Sequence, residues 1–197
     1  VLNPLGSLNP VDDDWLASAR EACPTLGGLS QPRIGVLVGG PRNGMALDQA
    51  YAEALIEGVL ARYRRDGGSV MLVASRRTPH ALLEQLRRAL TDVPGWIWGS
   101  TADGPNPYPG VLAWADRLLV TPDSVNMLSE ACAVGCPVHT LVLTPLPDKL
   151  ARFHAALREQ GLLHDINTVS PPAQVPLRET ARIAAEVRRR LQSPQAT

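Results

Sequence analysis

The sequence is short of net charge, of long apolar runs, of cysteine and of the common catalytic signatures, and each shortage excludes something. Its 19 basic residues balance 19 acidic ones, so bulk electrostatics favour neither nucleic acid nor a membrane surface as a partner. No apolar run reaches the roughly 18 residues a membrane-spanning helix needs. The opening Val1-Leu2-Asn3-Pro4-Leu5 lacks the basic start and apolar core of a signal peptide. It also lacks an initiator Met, so the chain reads as processed or as cut from something longer. Cysteine is limited to Cys23, Cys132 and Cys136. That sparse, odd count makes no disulfide framework, and a reducing cytoplasm is the expected location. Lysine occurs once, at Lys149, against eighteen arginines, a bias that points to GC-rich bacterial coding rather than to a function.

Motifs are missing too. There is no GxGxxG, no Walker loop, and no SxxK, GxSxG or HExxH. Cys132-x3-Cys136-x2-His139 matches no strong zinc spacing, so these read as small buried residues, and neither a metal nor a cofactor is expected. His80, His154 and His164 stand alone in the sequence, as surface or core residues more than as catalysts. Arg188-Arg189-Arg190 suits the end of a helix.

What is present is a regular alternation. The chain has 197 residues, 45% of them hydrophobic, enough for one domain with a full core. Asp12-Asp13-Asp14 opens a helix to about Cys23, and 24–32 reads as a loop. Apolar runs at 34–38, 70–74, 95–98, 118–120 and 138–143 then alternate with helical stretches at 47–65, from Thr78-Pro79 onward, 108–115, 124–134 and 148–160. Thr78 is the expected cap of the second of these helices. A Pro-rich link (Pro171-Pro172, Pro176) leads to a last helix over 177–192. Strands apolar throughout, alternating with helices, predict a doubly wound parallel α/β sheet of Rossmann-like type. The expected organisation is an N-terminal helix and linker over 1–32, a nucleotide-binding domain over 33–170 and a C-terminal crossover helix over 171–197.

In such sheets ligands bind beyond the carboxyl ends of the strands, which selects four polar loops. Gly39-Gly40-Pro41-Arg42-Asn43-Gly44 offers close backbone approach and a cation for a phosphate, or is a plain flexible turn. Ser75-Arg76-Arg77-Thr78 offers two hydroxyls and two guanidiniums at a helix start, an anion clamp or a cap with solvated arginines. The stretch from Trp98 through Asn106 to Tyr108 can hold a nucleobase by stacking and backbone hydrogen bonds, or is a Pro-stiffened surface loop. Thr121-Pro122-Asp123-Ser124 runs from a buried strand into a helix carrying Met127 and Glu130. Asp123 or Ser124 caps that helix, whose free N–H groups and dipole favour an anion. A carboxylate such as Glu130 can accept from a pair of sugar hydroxyls, so the segment reads as a nucleotide-diphosphate or nucleotide-sugar pocket.

Val36-Leu37-Val38-Gly39-Gly40, Ser75-Arg76-Arg77-Thr78-Pro79, Asn106-Pro107-Tyr108 and Thr121 through Ala131 resemble the mitochondrial-fission "elongated mitochondria" family, which has bacterial members and a plant branch. The likeness runs from about Leu5 to Leu191. More distantly, the same region is similar to the C-terminal half of GT-B glycosyltransferases such as the peptidoglycan lipid-intermediate GlcNAc transferase, where Ala113-Trp114-Ala115-Asp116 and the following strand, turn and helix match a donor-site segment. That resemblance implies that Glu130 holds the donor ribose, that Ser124 and Gly39-Gly40 meet the diphosphate or sugar, and that Trp98-Gly99 sits against the base. The glycosyltransferases carry Gly where this chain has Ser124, which implies a less close approach of phosphate. It further implies an N-terminal half, or a second chain, bearing the acceptor site and the base, with this chain beginning near the junction and its last helix crossing back. The expected function is a donor domain for a nucleotide-diphosphate sugar, with no catalytic residue assigned. The alternatives are a nucleotide-sugar epimerase-like enzyme and a non-catalytic adaptor.

Overall fold

The computed structural model describes residues 2–42, 44–169 and 173–192. Asn43, Pro171 and Pro172, and the end of the chain beyond residue 192, lie outside the described residues.

The first helix, α1 (Asp13–Ala22), starts where the sequence predicts. The Asp12 carboxylate accepts from the Trp15 N–H at 2.8 Å, and Asp13 and Asp14 sit in the first turn, where the helix dipole favours anions. The following stretch, expected as a loop, holds a single helical turn, α2 (Pro24–Gly27), with Pro at its first position, where its missing N–H and fixed φ cost nothing.

The strands β1 (Arg33–Val38), β2 (Ser69–Ala74), β3 (Gly95–Trp98), β4 (Arg117–Val120), β5 (Val138–Thr140) and β6 (His164–Asp165) form one sheet in the order β3-β2-β1-β4-β5-β6. Every pairing is parallel. The chain builds outward from β1 in one direction through β2 and β3, then returns to the other side of β1 with β4, β5 and β6. The sheet therefore reverses between β1 and β4, the place where ligands of doubly wound folds bind. β6 is an element the sequence does not announce. It is two residues long and polar and pairs with β5, and just past it the Arg62 guanidinium donates to the Ile166 carbonyl at 2.6 Å and the Thr168 carbonyl at 3.1 Å. β5 is shorter than its apolar run, which continues past the ladder into buried Leu141.

The helices α3 (Gln49–Asp66), α4 (His80–Ala89), α5 (Tyr108–Trp114), α6 (Val125–Cys132), α7 (Asp148–Glu159) and α8 (Glu179–Gln192) complete the layers. Alternate residues of the strands feed two cores. Leu37, Met71, Val73, Leu118 and Val120 pack with α1, α5 and α6 on one face. Ile34, Val36, Val38, Val70, Leu72 and Leu119 pack with α3 and α4 on the other. Each buried aliphatic side chain contributes about 1.5–3 kcal/mol by leaving water, and full burial on both faces explains why the strands are apolar runs rather than alternating ones. α3 ends at Gly67, whose φ of 69° is a conformation other residues rarely adopt.

The two ends of the described chain meet. The Leu5 N–H donates to Glu179 at 2.6 Å, Asn9 and Thr180 exchange hydrogen bonds, and Arg178 donates to the Val11 carbonyl. Among the described residues no helix is long and apolar enough to cross a membrane.

Candidate functional site

At the switch point the loops after β1, β2 and β4 are tied into one knot around a buried carboxylate. The Asp123 side chain is fully buried, and both its oxygens are engaged. The Thr121 hydroxyl donates to Oδ1 at 2.6 Å. The Gly40 N–H donates to Oδ2 at 3.0 Å, and Arg77 reaches the same oxygen at 3.1 Å. The Gly39 N–H donates to the Thr121 hydroxyl at 2.8 Å. A Cβ at Gly39 would stand 2.2 Å from both Asp123 oxygens, and one at Gly40 would stand 2.4 Å from the Arg77 carbonyl oxygen. The glycines are thus needed for the close approach of the protein's own Asp123 and Arg77, and that approach uses up the backbone access expected for a phosphate. Asp123, expected as a ligand contact or cap, is instead the centre of the knot.

Thr78 belongs to the same knot rather than capping α4. Its hydroxyl lies 2.9 Å from the Val38 carbonyl and 2.6 Å from the Gly39 carbonyl, and accepts from the Ser75 N–H at 2.9 Å. The helix begins at His80, with Pro79 as its uncapped first flank. Thr78 could have capped, but the side-chain bond to a neighbouring strand end competes successfully. Of the two residues offered as the cap of α6, Ser124 is used: its hydroxyl accepts from the Met127 N–H at 3.3 Å.

Beside the knot, beyond the ends of β2 and β3, lies a cavity of about 950 Å³. Ser75, Arg76, Thr78, Trp98, Asn106, Met127 and Glu130 all line it, so the structure brings together residues chosen from three separate loops. Gly39, Gly40, Arg77, Asp123 and Ser124 do not line it. Arg42 lines a second, more open depression of about 640 Å³ with Met45, Tyr51 and Leu143, and donates to the Asp123 carbonyl at 3.0 Å.

Within the cavity, Glu130 accepts a short hydrogen bond from the Tyr108 hydroxyl through Oε2, and its Oε1 has no hydrogen bond among the described residues. Burial, then the charge of Glu130, raises the Tyr108 phenol well above its ordinary value, so it stays a protonated donor. Asn106 accepts from the Tyr108 N–H at 3.0 Å and so starts α5 while lining the cavity. The indole of Trp98 donates to the Gly104 carbonyl at 3.0 Å, fixing the ring as a wall.

Asp103 and Arg87 are among the polar residues of the cavity that were not singled out from the sequence. Asp103 closes a 3₁₀ turn (Thr101–Asp103) by a reciprocal cap with Ser100. Arg87, on α4, reaches Asp103 at 2.6 Å. The Ser100-Thr101-Ala102-Asp103 spacing is a capping-box signature that could have flagged the turn, but nothing local points to Arg87. Among the described residues no group of three or more His, Cys, Asp or Glu is placed to hold a metal ion. Burial pushes the thiols of Cys132 and Cys136 up to about 12, which makes them inert.

The chain is similar to two solved structures: a candidate UDP-N-acetylglucosamine 2-epimerase from Listeria monocytogenes (TM-score 0.48, 15% identity, 97% of this chain and 42% of that one) and MurG of Acinetobacter baumannii (TM-score 0.47, 13% identity, 97% and 48%). A curated relative, the mitochondrial fission protein ELM1 of Arabidopsis thaliana, is 32% identical over 97% of this chain and 45% of its own length. The chain therefore spans less than half of that relative. The family model for mitochondrial fission ELM1 matches residues 1–191, and the chain belongs to that family.

Proposed function

We propose that the chain binds a nucleotide-diphosphate sugar at the carboxyl edge of its sheet, with the nucleoside in the large cavity and the diphosphate turned toward the start of α6. One observation carries this reading: the Glu130 carboxylate lines a cavity of about 950 Å³ with one oxygen held by Tyr108 and the other left to accept. A carboxylate in that state suits a ribose hydroxyl, while Trp98 and Met127 offer apolar surface to the rest of the nucleoside. Arg76 and Arg42, both exposed on either side of the knot, supply charge for the diphosphate. The N–H groups at the start of α6 add the helix dipole. In a transfer reaction these groups would stabilise the leaving diphosphate electrostatically. The acceptor site and the base are proposed to come from a second half or another chain, and no catalytic residue is assigned here.

A second reading, a non-catalytic adaptor, is favoured by the name of the family and by apolar residues left exposed on α8, Val187 and Leu191, one turn apart. The two readings separate cleanly. Calorimetric titration with uridine, guanosine, adenosine and thymidine diphosphates and their sugars is expected to show saturable binding of one base family. Glu130→Ala is expected to weaken that binding on the order of a hundredfold, since hydrogen bonds to a charged group are the strong ones. Equal affinity of the variant and the parent for every nucleotide tested would remove the site. No binding by any nucleotide would leave the adaptor.

A further inference from the structure

The far wall of the cavity carries a donor and an acceptor in an arrangement that selects among bases. All three hydrogen bonds to the Asp103 carboxylate fall on one oxygen. Oδ2 accepts from the Gly99 N–H at 2.8 Å, from the Ser100 N–H at 3.1 Å and from Arg87 at 2.6 Å. Oδ1 has no hydrogen bond among the described residues, and Asp103 lines the cavity. The backbone N–H groups at the end of β3 hold the carboxyl below the usual range, as does Arg87 to a lesser degree, so it stays charged. Arg87 also lines the cavity, and its Nη1 makes no hydrogen bond among the described residues.

This has a consequence for the base. The Gly99 and Ser100 N–H groups at the end of β3 are both taken by Asp103 and are not free to donate to a base. What the wall offers instead is a negatively charged acceptor next to a guanidinium. Guanine presents the complementary edge: two adjacent donors, N1–H and the 2-amino group, beside the O6 acceptor. Uracil presents one N–H between two carbonyls, one of which would face the carboxylate. Adenine and cytosine present a single amine donor beside a ring-nitrogen acceptor, so they bring one hydrogen bond to the carboxylate where guanine brings two. A base that brings fewer donors to the charged oxygen is held less tightly. The cavity, at about 950 Å³, has room for a purine nucleoside.

We propose that Asp103 and Arg87 read a guanine, so that the ligand of this chain is a guanosine diphosphate derivative. The assignment rests on the nucleotide reading of the cavity. It is tested by calorimetry on the whole chain with guanosine, inosine, xanthosine and uridine diphosphates, for the parent and for Asp103→Asn. The parent is expected to bind the guanosine form tenfold or more tighter than the inosine form, which lacks the 2-amino group, and than the uridine form. In Asp103→Asn the three donors on Oδ2 hold the amide oxygen inward, which places the amide nitrogen where Oδ1 stood. The guanosine preference should then fall by tenfold or more and xanthosine diphosphate, with a carbonyl at position 2, should gain. That gain cannot come from a misfolded variant. Uridine diphosphate binding as tightly as guanosine diphosphate, or a guanosine preference unchanged in Asp103→Asn, overturns the base assignment and leaves the nucleotide reading standing. Failure of every nucleotide to bind overturns both.

Discussion

Asp123→Ala is expected to destabilise the fold by about 3 kcal/mol. Removing a buried hydrogen-bonded charge strands its partners: here the Gly40 N–H and the Thr121 hydroxyl lose their acceptor in a place water does not reach. Arg77 suffers less, because its side chain is 55% exposed and returns to solvent. At this chain length the loss corresponds to a fall of about 6–12 °C in the thermal midpoint. Arg77→Ala is therefore expected to cost less than about 1 kcal/mol, although it breaks the same ion pair. Paired chemical and thermal denaturation of the two variants measures the contrast. An Asp123→Ala variant within about 1 kcal/mol of the parent would mean that the carboxylate does not hold the three loops together.

The second large effect is on acid stability. His139 and His154 are both fully buried. Burial, with Arg62, His164 and Arg117 adding to it, lowers the His139 imidazole to about 3. Burial, offset in part by the Pro122 carbonyl 3.0 Å from Nε2, lowers His154 to about 4. Both are neutral in the fold, while in the unfolded chain they take up a proton near pH 6.5. The unfolded state thus binds more protons as the pH falls below 6.5, and stability present above that value is lost through pH 4 and toward pH 3. Between pH 7.5 and pH 5 each histidine accounts for about 2 kcal/mol, so the pair removes about 4 kcal/mol. Urea unfolding across that range checks it, and His154→Gln should flatten the slope by about half. A flat stability profile from pH 7.5 to pH 5 would contradict the burial of both rings as neutral groups.

The fold was legible in the sequence because its signal is local. Each central strand is an uninterrupted apolar run, and Asp12 marks the start of α1 by its own chemistry. β6 was not legible, since two polar residues carry no pattern and their place is set by pairing with β5, some 25 residues earlier. Thr78 misled for a related reason: its hydroxyl had two possible partners, and the one chosen lies on β1, some 40 residues away. The candidate site divides the same way. Glu130, Met127, Trp98, Asn106, Ser75, Arg76 and Thr78 were chosen because strand-end loops are where such folds bind, and the structure places them on one cavity. Glycines admit any close neighbour, and the sequence does not say whether the neighbour of Gly39 and Gly40 is a phosphate or the chain's own Asp123, which the structure places against Gly39. Arg87 was passed over because a helical arginine looks solvated until the 3₁₀ turn brings Asp103 against it.

The central claim is that Glu130 and the cavity it lines receive a nucleoside. The most direct measurement is a crystal structure of the chain grown with guanosine diphosphate. A ribose hydroxyl is expected within hydrogen-bond distance of Glu130 Oε1, with the diphosphate lying toward Ser124. Density for the nucleotide elsewhere on the surface, or a cavity holding only water at saturating nucleotide, would contradict it.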